Sequence, residues 1–440
     1  MMTAPRGEGF ENVLIVGAGP AGMLLALMLG QAGVPVVLID MAAGLDQNPR
    51  ATHYGPPAMY ELNRAGLGDD IRQEGFLPDG VCWRKLDGTP IASIHNGAFP
   101  DDPNRMACLP LNRLGLIMQR HLEAQGKVDV RYGYKVIGIG QEETKAWVEV
   151  ESPEGKQTLS ASYIVGCDGA NSQIRRSLFG DREFPGRTWN EQIVATNPQV
   201  PPQISSRFGA GSKGIDSRED AKEQSLKWAC YQVRYNFDQY DLSDSNFIVH
   251  PEHWSMAARI TRDGLWRVTY GEIPGLSNDE LRQRLPEKFK AFLPGAPDPG
   301  QYEVVNFSPY KVHQRLAKQM RVGRFLLAAD AAHLCNPFGG MGLTGGIVDV
   351  GGLRDCLVGI YEGKADDTIL DRYNDIRRQK YLEIIDVVST ENIRRLFSTD
   401  PDRALETDDF LKMCKQASEN PEVAEQMQKV NLQFYPHILN

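Results

Sequence analysis

The feature that most constrains this chain is a glycine cluster set between two apolar runs near its beginning. Val13-Leu14-Ile15-Val16 is a short, uninterrupted apolar run, as expected of a strand buried on both faces. Gly17-Ala18-Gly19-Pro20-Ala21-Gly22 follows directly. A helix-like run over residues 21–31 comes next, closed by Ala32-Gly33, then a second apolar run over residues 34–39. Strand, tight turn, helix and strand make a βαβ unit, which demands a parallel sheet and a right-handed crossover. Each glycine has a separate task in such a turn. Gly17 permits the tight bend, Gly19 lets backbone approach a pyrophosphate, and Gly22 lets helix and strand pack closely. The helix N-terminus offers free N–H groups to the phosphate. Asp40 ends the second strand, 18 residues after Gly22, where an acid accepts hydrogen bonds from ribose hydroxyls. The pattern is weak alone, but in this strand-and-helix context it predicts a dinucleotide site.

With 440 residues the chain is too long for one ordinary core and suits two or three interdependent domains. Its net charge of −9 argues against nucleic-acid partners, which need a concentrated positive surface. The seven cysteines are scattered without C-x-x-C spacing, so neither a disulfide framework nor structural zinc is expected, and no histidine pair has metal-ligand spacing. Residues 1–12 lack the apolar stretch of a secretory signal, and the apolar run at 21–29 is too short to span a bilayer. A cytoplasmic protein without stable membrane insertion is expected, as a monomer or homodimer.

Further along, residues 59–65 and 111–125 read as helices. Residues 145–150 and 157–164 alternate as strands around the turn Pro153-Glu154-Gly155. From residue 181 the pattern changes to alternating stretches with Trp and Tyr, at 227–235 and 254–261. Asp263-Gly264 marks a hairpin returning along 265–270. Residues 201–225 read as a flexible loop. After residue 321 the α/β character returns, with a buried strand over 325–329, and Gly342 opens a helix. The predicted fold class is α/β: a Rossmann-like dinucleotide-binding domain, which the resemblance described below makes an FAD-binding domain, an inserted antiparallel β-sheet substrate domain and a C-terminal helical region. The predicted division gives 1–80, 100–180 and 301–365 to the first, 81–99 and 181–300 to the second, and 366–440 to the third.

Two more motifs decide the cofactor. Tyr163-Ile164-Val165-Gly166-Cys167-Asp168-Gly169 is a strand ending in Asp-Gly. Leu326-Leu327-Ala328-Ala329-Asp330 is a strand ending in an acid, followed by small residues and Pro337-Phe338-Gly339-Gly340-Met341-Gly342. With these three motifs in order, the chain resembles the class A flavoprotein monooxygenases, the fold group of para-hydroxybenzoate hydroxylase, from residue 12 to about 385. The resemblance implies FAD, with NADPH or NADH as co-substrate. It implies that Asp330 binds the ribityl hydroxyls, that Asp168 and Gly169 hold the pyrophosphate region and serve NAD(P)H approach, and that Arg50 and Arg113 contact FAD. It places Gly340, Met341, Gly342 and Leu343 at the flavin. The usual Gly-Asp is here Ala329-Asp330, which adds a methyl near the flavin chain.

The implied chemistry is hydroxylation of a small phenolic or other electron-rich aromatic substrate by O₂, through a flavin C4a-hydroperoxide. His53, three residues after Arg50, is the leading candidate for the base that takes the phenol proton, since its ordinary pKa suits proton exchange. Pro337 lines the substrate side in this reading, and Tyr231, on the predicted sheet above the site, is a third catalytic candidate. A flavin halogenase is disfavoured because no Trp-x-Trp precedes Ile273-Pro274. A flavin oxidase, or a non-catalytic carrier or regulator on the same fold, remains the alternative.

Overall fold

The computed structural model describes residues 10–47, 50–97, 100–193, 227–273, 275–307 and 310–432. The opening βαβ unit seeds a six-stranded sheet in the order Arg321–Val322, Phe325–Leu327, Tyr163–Gly166, Val13–Val16, Val36–Asp40, Val128–Tyr132. Its strands are parallel except for the edge pair Arg321–Val322 with Phe325–Leu327. Val16 is level with Ile39 on one side and Gly166 on the other, and Gly166 is level with Leu327. The three motifs, far apart in sequence, therefore emerge side by side at one sheet edge. The helices Pro20–Gln31, Leu111–Gln125 and Met341–Tyr361 cover the sheet, and ten of the twelve residues of the first are buried.

The sequence reading of 157–164 as one strand is corrected. Gly155–Ala161 pairs with Ala146–Ser152 in a three-stranded antiparallel meander, and Tyr163–Gly166 crosses into the parallel sheet. The break falls at Ser162, whose amide donates to the Asn12 side chain (3.1 Å).

The second sheet has seven strands, in the order Glu303–Phe307, Lys227–Arg234, Leu265–Glu272, Ser255–Arg259, Ser245–Ile248, Gly80–Arg84, Pro90–His95. It departs from the antiparallel expectation at one join, because Ser245–Ile248 runs parallel to Gly80–Arg84. Glu303–Phe307 pairs with Lys227–Arg234, so we propose moving the domain boundary from residue 300 to beyond Phe307. The sheet's core also takes in Ile393, Leu396, Ala404, Leu411 and Cys414. The C-terminal helices are thus fused to the substrate sheet. The predicted loop 201–225 lies outside the described residues. Among the described residues no helix is long and apolar enough to cross a membrane.

Beneath the third motif lies a fully buried carboxylate. Asp349, on the helix Met341–Tyr361, accepts from His333 Nε2 (2.6 Å), Arg377 Nε (2.6 Å) and the Ala329 amide (3.0 Å). Burial disfavours its charge, yet His333 and Arg377 outweigh burial and hold the carboxyl below its ordinary range. Removing one member of such a cluster strands the other charge in the interior. Asp349→Asn should therefore lower unfolding free energy by about 3–5 kcal/mol. Asp349→Leu with Arg377→Met should cost less than Asp349→Asn alone. Urea denaturation of the FAD-free proteins checks this, and a loss under 1 kcal/mol in Asp349→Asn would contradict it.

Candidate active site

A cavity of about 1570 Å³ runs from the sheet edge where the motifs emerge to the inner face of the second sheet. At the first motif each glycine has a distinct reason. Gly17 holds φ 108°, and a Cβ there would lie 2.4 Å from the Cys167 carbonyl oxygen. A Cβ on Gly22 would lie 1.9 Å from the Gly17 carbonyl oxygen, so this glycine serves helix-to-turn packing and does not line the cavity. Gly19 lines the cavity, and a Cβ there would meet no protein atom within 4 Å. No fold requirement demands glycine at that position, whereas close approach of a phosphate does. The Asp40 carboxylate accepts from the amides of Ala18 (2.6 Å) and Ala42 (2.7 Å), which brings the acid to the cavity rim.

At the second motif Asp168 Oδ2 accepts from the amides of Gln173 (2.6 Å) and Ile174 (3.1 Å). Its Oδ1 is buried without a partner, and burial raises the carboxyl's pKa. Gly169 also lines the cavity, at φ 76°. At the third motif Asp330 lines the cavity, and the protein around it pushes its carboxyl up despite opposing charge from His333 and Arg50. Ala329 holds φ 55°, and Gly346 faces it, where a Cβ would come within 2.7 Å of the alanine methyl. Arg175, which the sequence reading missed, ties two motifs together. Its guanidinium donates to the carbonyls of Ala170 (2.8 Å) and Ala331 (3.1 Å) and lies 3.7 Å from the centre of the Phe184 ring. Burial lowers its pKa to about 10, so it stays charged at neutral pH.

Gly340, at φ 66°, caps the helix Met341–Tyr361, which starts one residue before the predicted position. Gly340, Gly342, Leu343 and Pro337 line the cavity, and Met341 turns instead to the small core of Leu316, Tyr381 and Ile385. The loop is pinned by Asn336, fully buried, which accepts from the Phe338 amide (3.0 Å) and donates to Gln314 Oε1 (3.1 Å) and the Ser389 carbonyl (2.9 Å).

The arginines divide. Arg50 lines the cavity while pairing with Asp46 (2.9 Å). Arg113 does not line it, and its guanidinium pairs with Glu74 at 2.7 Å on the surface.

Beyond this cradle the second sheet forms a roof of two cross-strand rows. Arg267, Ala258, Ser245 and Val81 are in register, as are Thr269, Met256, Phe247 and Trp83. All eight line the cavity, whereas the intervening Trp266, Val268 and Tyr270 are buried and do not line it. Tyr231 sits in register with Val268, not with Arg267 or Thr269, so its backbone position does not join either row. Its side chain lies outside the described residues. Arg234 and Arg259 pair with Asp263 and Asp244 instead of facing the site.

His53 lies on the two-residue strand His53–Tyr54, paired with Ala107–Cys108, and lines the cavity. Its Nδ1 shares a hydrogen bond with Thr52 Oγ1 (2.8 Å), and its Nε2 has no protein partner. Burial first, then the positive charge of Arg267, lowers its pKa to about 4, against a raising effect of Asp244. His53 is therefore a neutral imidazole at pH 7. Among the described residues no three His, Cys, Asp or Glu side chains gather as a metal site.

A flavin dinucleotide suits this donor set: free space at Gly19, an orphaned buried oxygen on Asp168, an acid at Asp330 and a helix N-terminus at Gly340. A family model described as the FAD binding domain matches residues 11–387, and the chain belongs to this family. It is 34% identical over 407 residues to para-nitrophenol 4-monooxygenase of Pseudomonas sp. (strain WBC-3), covering 92% of each chain. It is 33% identical over 396 residues to 6-hydroxy-3-succinoylpyridine 3-monooxygenase HspB of Pseudomonas putida (strain DSM 28022 / S16), covering 89% of this chain and 90% of the other. The crystal structure of p-nitrophenol 4-monooxygenase PnpA from Pseudomonas putida DLL-E4 matches with a TM-score of 0.83 at 33% identity, covering 98% of this chain and 100% of that one. The chain is an FAD-dependent aromatic monooxygenase, of the kind that takes its electrons from NAD(P)H.

The glycine analysis separates folding from binding. Gly19→Ala should leave the melting temperature of the FAD-free protein within ~1 °C and weaken FAD binding at least tenfold. Gly22→Ala should lower the melting temperature itself. Calorimetry of apoprotein and FAD titration followed by fluorescence check both, and equal destabilisation by the two variants would contradict the assignment.

Proposed function

We propose that this enzyme hydroxylates a single-ring, para-substituted phenol of the 4-nitrophenol kind, with O₂ as oxidant. The observation that carries this reading is the roof. Two rows of mainly apolar side chains from four strands face a cavity wall on which His53 leaves Nε2 unpaired. The names of the two relatives, a nitrophenol and a hydroxypyridine monooxygenase, support a ring bearing a hydroxyl group.

When bound, FAD supplies hydride acceptance from NAD(P)H and transfer of an oxygen atom from O₂ to the ring. The protein supplies everything else. Gly17, Gly19 and the helix N-terminus at Pro20 would hold the pyrophosphate, Asp40 a ribose, and Asp330 the ribityl chain. The backbone N–H groups at Gly340–Gly342 would stabilise negative charge on the flavin ring. Val81, Trp83, Phe247 and Met256 would exclude water from the ring face.

A group with pKa about 4 is a poor resting place for a phenol proton. We infer that His53 accepts a hydrogen bond from the phenol at Nε2 and passes the proton onward through the Nδ1 side toward Thr52, instead of storing it. Arg267 would favour the ionised phenol through its charge. For assembly and location we propose a monomer or homodimer in the cytoplasm.

Two outcomes test this reading. The purified enzyme should show a bound-flavin spectrum and oxidise NAD(P)H faster with 4-nitrophenol, with little H₂O₂ released. No stimulation by any single-ring phenol would count against it. Because His53 stays neutral from pH 5 to pH 8, it should produce no inflection near 6.5 in kcat/KM against pH. His53→Gln should lower kcat and leave the limbs of that profile in place. A wild-type inflection near 6.5 that vanishes in the variant would restore His53 as a stored-proton base.

A further inference from the structure

The roof ends at Trp83, and what lies beyond it comes from the C-terminal helices, where the sequence reading placed no site residue. Phe410, in the first turn of the helix Asp409–Glu419, lines the cavity and meets the Trp83 ring edge-on at 5.4 Å. Trp83 in turn stacks on Phe247 at 5.8 Å, so Phe410 extends the inner aromatic row by one member. The helix carrying it packs against the edge strand Pro90–His95 and buries Leu411 and Cys414 in the second core.

Arg395 is buried, at 8% exposure, and its guanidinium lies 4.3 Å from the centre of the Phe410 ring. The same guanidinium donates to Asp408 Oδ2 (2.7 Å), and Asp408 caps the helix by accepting from the Leu411 amide (3.0 Å). On its other side Arg395 donates to Asn392 Oδ1 (2.9 Å). Asn392 also lines the cavity, and its Nδ2 reaches the carbonyl of Phe338 (3.5 Å) in the glycine loop placed at the flavin. One buried arginine thus joins the flavin-side loop to an aromatic residue of the chamber wall. A desolvated cation over an aromatic face, with both sides of its fork engaged, fixes the ring's position and tilt.

We propose that Phe410 is the specificity-determining end wall of the substrate chamber, setting the length of the aromatic ring system it admits, and that Arg395 is the positioning residue that holds this wall in register with the flavin-side loop. The proposal rests on the reading of the chamber as a phenol site. Truncating Phe410 removes a whole ring from the wall, and the freed space lies in line with the aromatic row. Substrates extended by a second ring at the para position gain most from that space. Filling the wall with a larger ring has the opposite effect.

The test compares 4-phenylphenol with 4-nitrophenol on the FAD-loaded full-length enzyme. It reads the ratio of their kcat/KM values and, independently, the ratio of their dissociation constants from the flavin absorbance change on binding. Phe410→Ala should shift both ratios toward 4-phenylphenol by roughly tenfold or more, as expected when a pocket gains room for an apolar group. Phe410→Trp should shift them the other way. Arg395→Met keeps Phe410 but frees it, so it should shift the ratios less while raising the share of NAD(P)H consumption that ends as H₂O₂. A general loss of stability lowers both substrates' values together and leaves the ratios alone. Ratios unchanged within twofold in both Phe410 variants, with FAD retained, overturn the wall. If wild-type enzyme turns over neither phenol but binds them, the functional reading has failed and the binding ratio still decides the wall. If neither phenol binds, both ideas fall.

Discussion

A flat, charged ligand laid across the edge of a parallel sheet tolerates no side chain between itself and the strand ends. Most of this molecule answers to that constraint. Val16, Gly166 and Leu327 end level with one another, and Ile39 ends beside them. Immediately beyond these residues the chain carries Gly17, Asp168-Gly169, Ala329-Asp330 and Asp40, so each strand delivers either a glycine or a carboxylate to the same line. The register explains why motifs separated by about three hundred residues act as one site. It also explains Arg175, whose bonds to the Ala170 and Ala331 carbonyls clamp two of these loops at a fixed separation.

The departure from Gly-Asp at Ala329-Asp330 shows how such a constraint is met when a residue does not suit it. A left-handed conformation costs an ordinary L-residue about 1–2 kcal/mol, and Ala329 adopts one. The surroundings over-determine it. Gly346 makes room for the methyl, and Asp349 accepts the Ala329 amide while anchoring His333 and Arg377. The buried charge cluster is weak as a source of net stability, because desolvation opposes it. Its geometric effect is what the site uses, since it fixes the turn from which Asp330 reaches the cavity.

The cofactor half was the legible half. Glycine turns and strand-end acids are local signals, because the backbone conformation they serve is set within a few residues. The helix over 111–125 was equally plain, with its 3.6-residue period. The substrate half was legible only as alternation. Period 2 shows that a strand has two faces, but which face looks inward depends on the sheet's packing partner, and no single strand carries that information. Alternation alone therefore does not distinguish Tyr231 from Arg267 or Thr269, which line the cavity. A motif likewise places Arg113 on a helix without showing that Glu74, 39 positions earlier, pairs with its side chain. The C-terminal contribution left no local signature. Asn392, Arg395 and Phe410 look in sequence like ordinary helix-surface residues, and only long-range packing brings them to the cavity.

The electrostatics of the chamber join its two halves. Arg267 stands on the roof and His53 on the cradle side, and the former's charge helps push the latter's pKa to about 4. The same field acts on any acidic group placed between them, and with the opposite consequence for charge. It disfavours a protonated imidazole and favours an ionised hydroxyl, so the imidazole and a phenol cannot both hold the proton for long. The ring's side-chain hydrogen bond to Thr52, itself buried, is the route by which the proposed relay would pass a proton on. A neutral imidazole adds no positive charge of its own, so the guanidinium of Arg267 is the cation that would face an ionised ring there. An electron-rich ring under a largely apolar roof is the state in which it is most reactive toward an electrophilic oxygen.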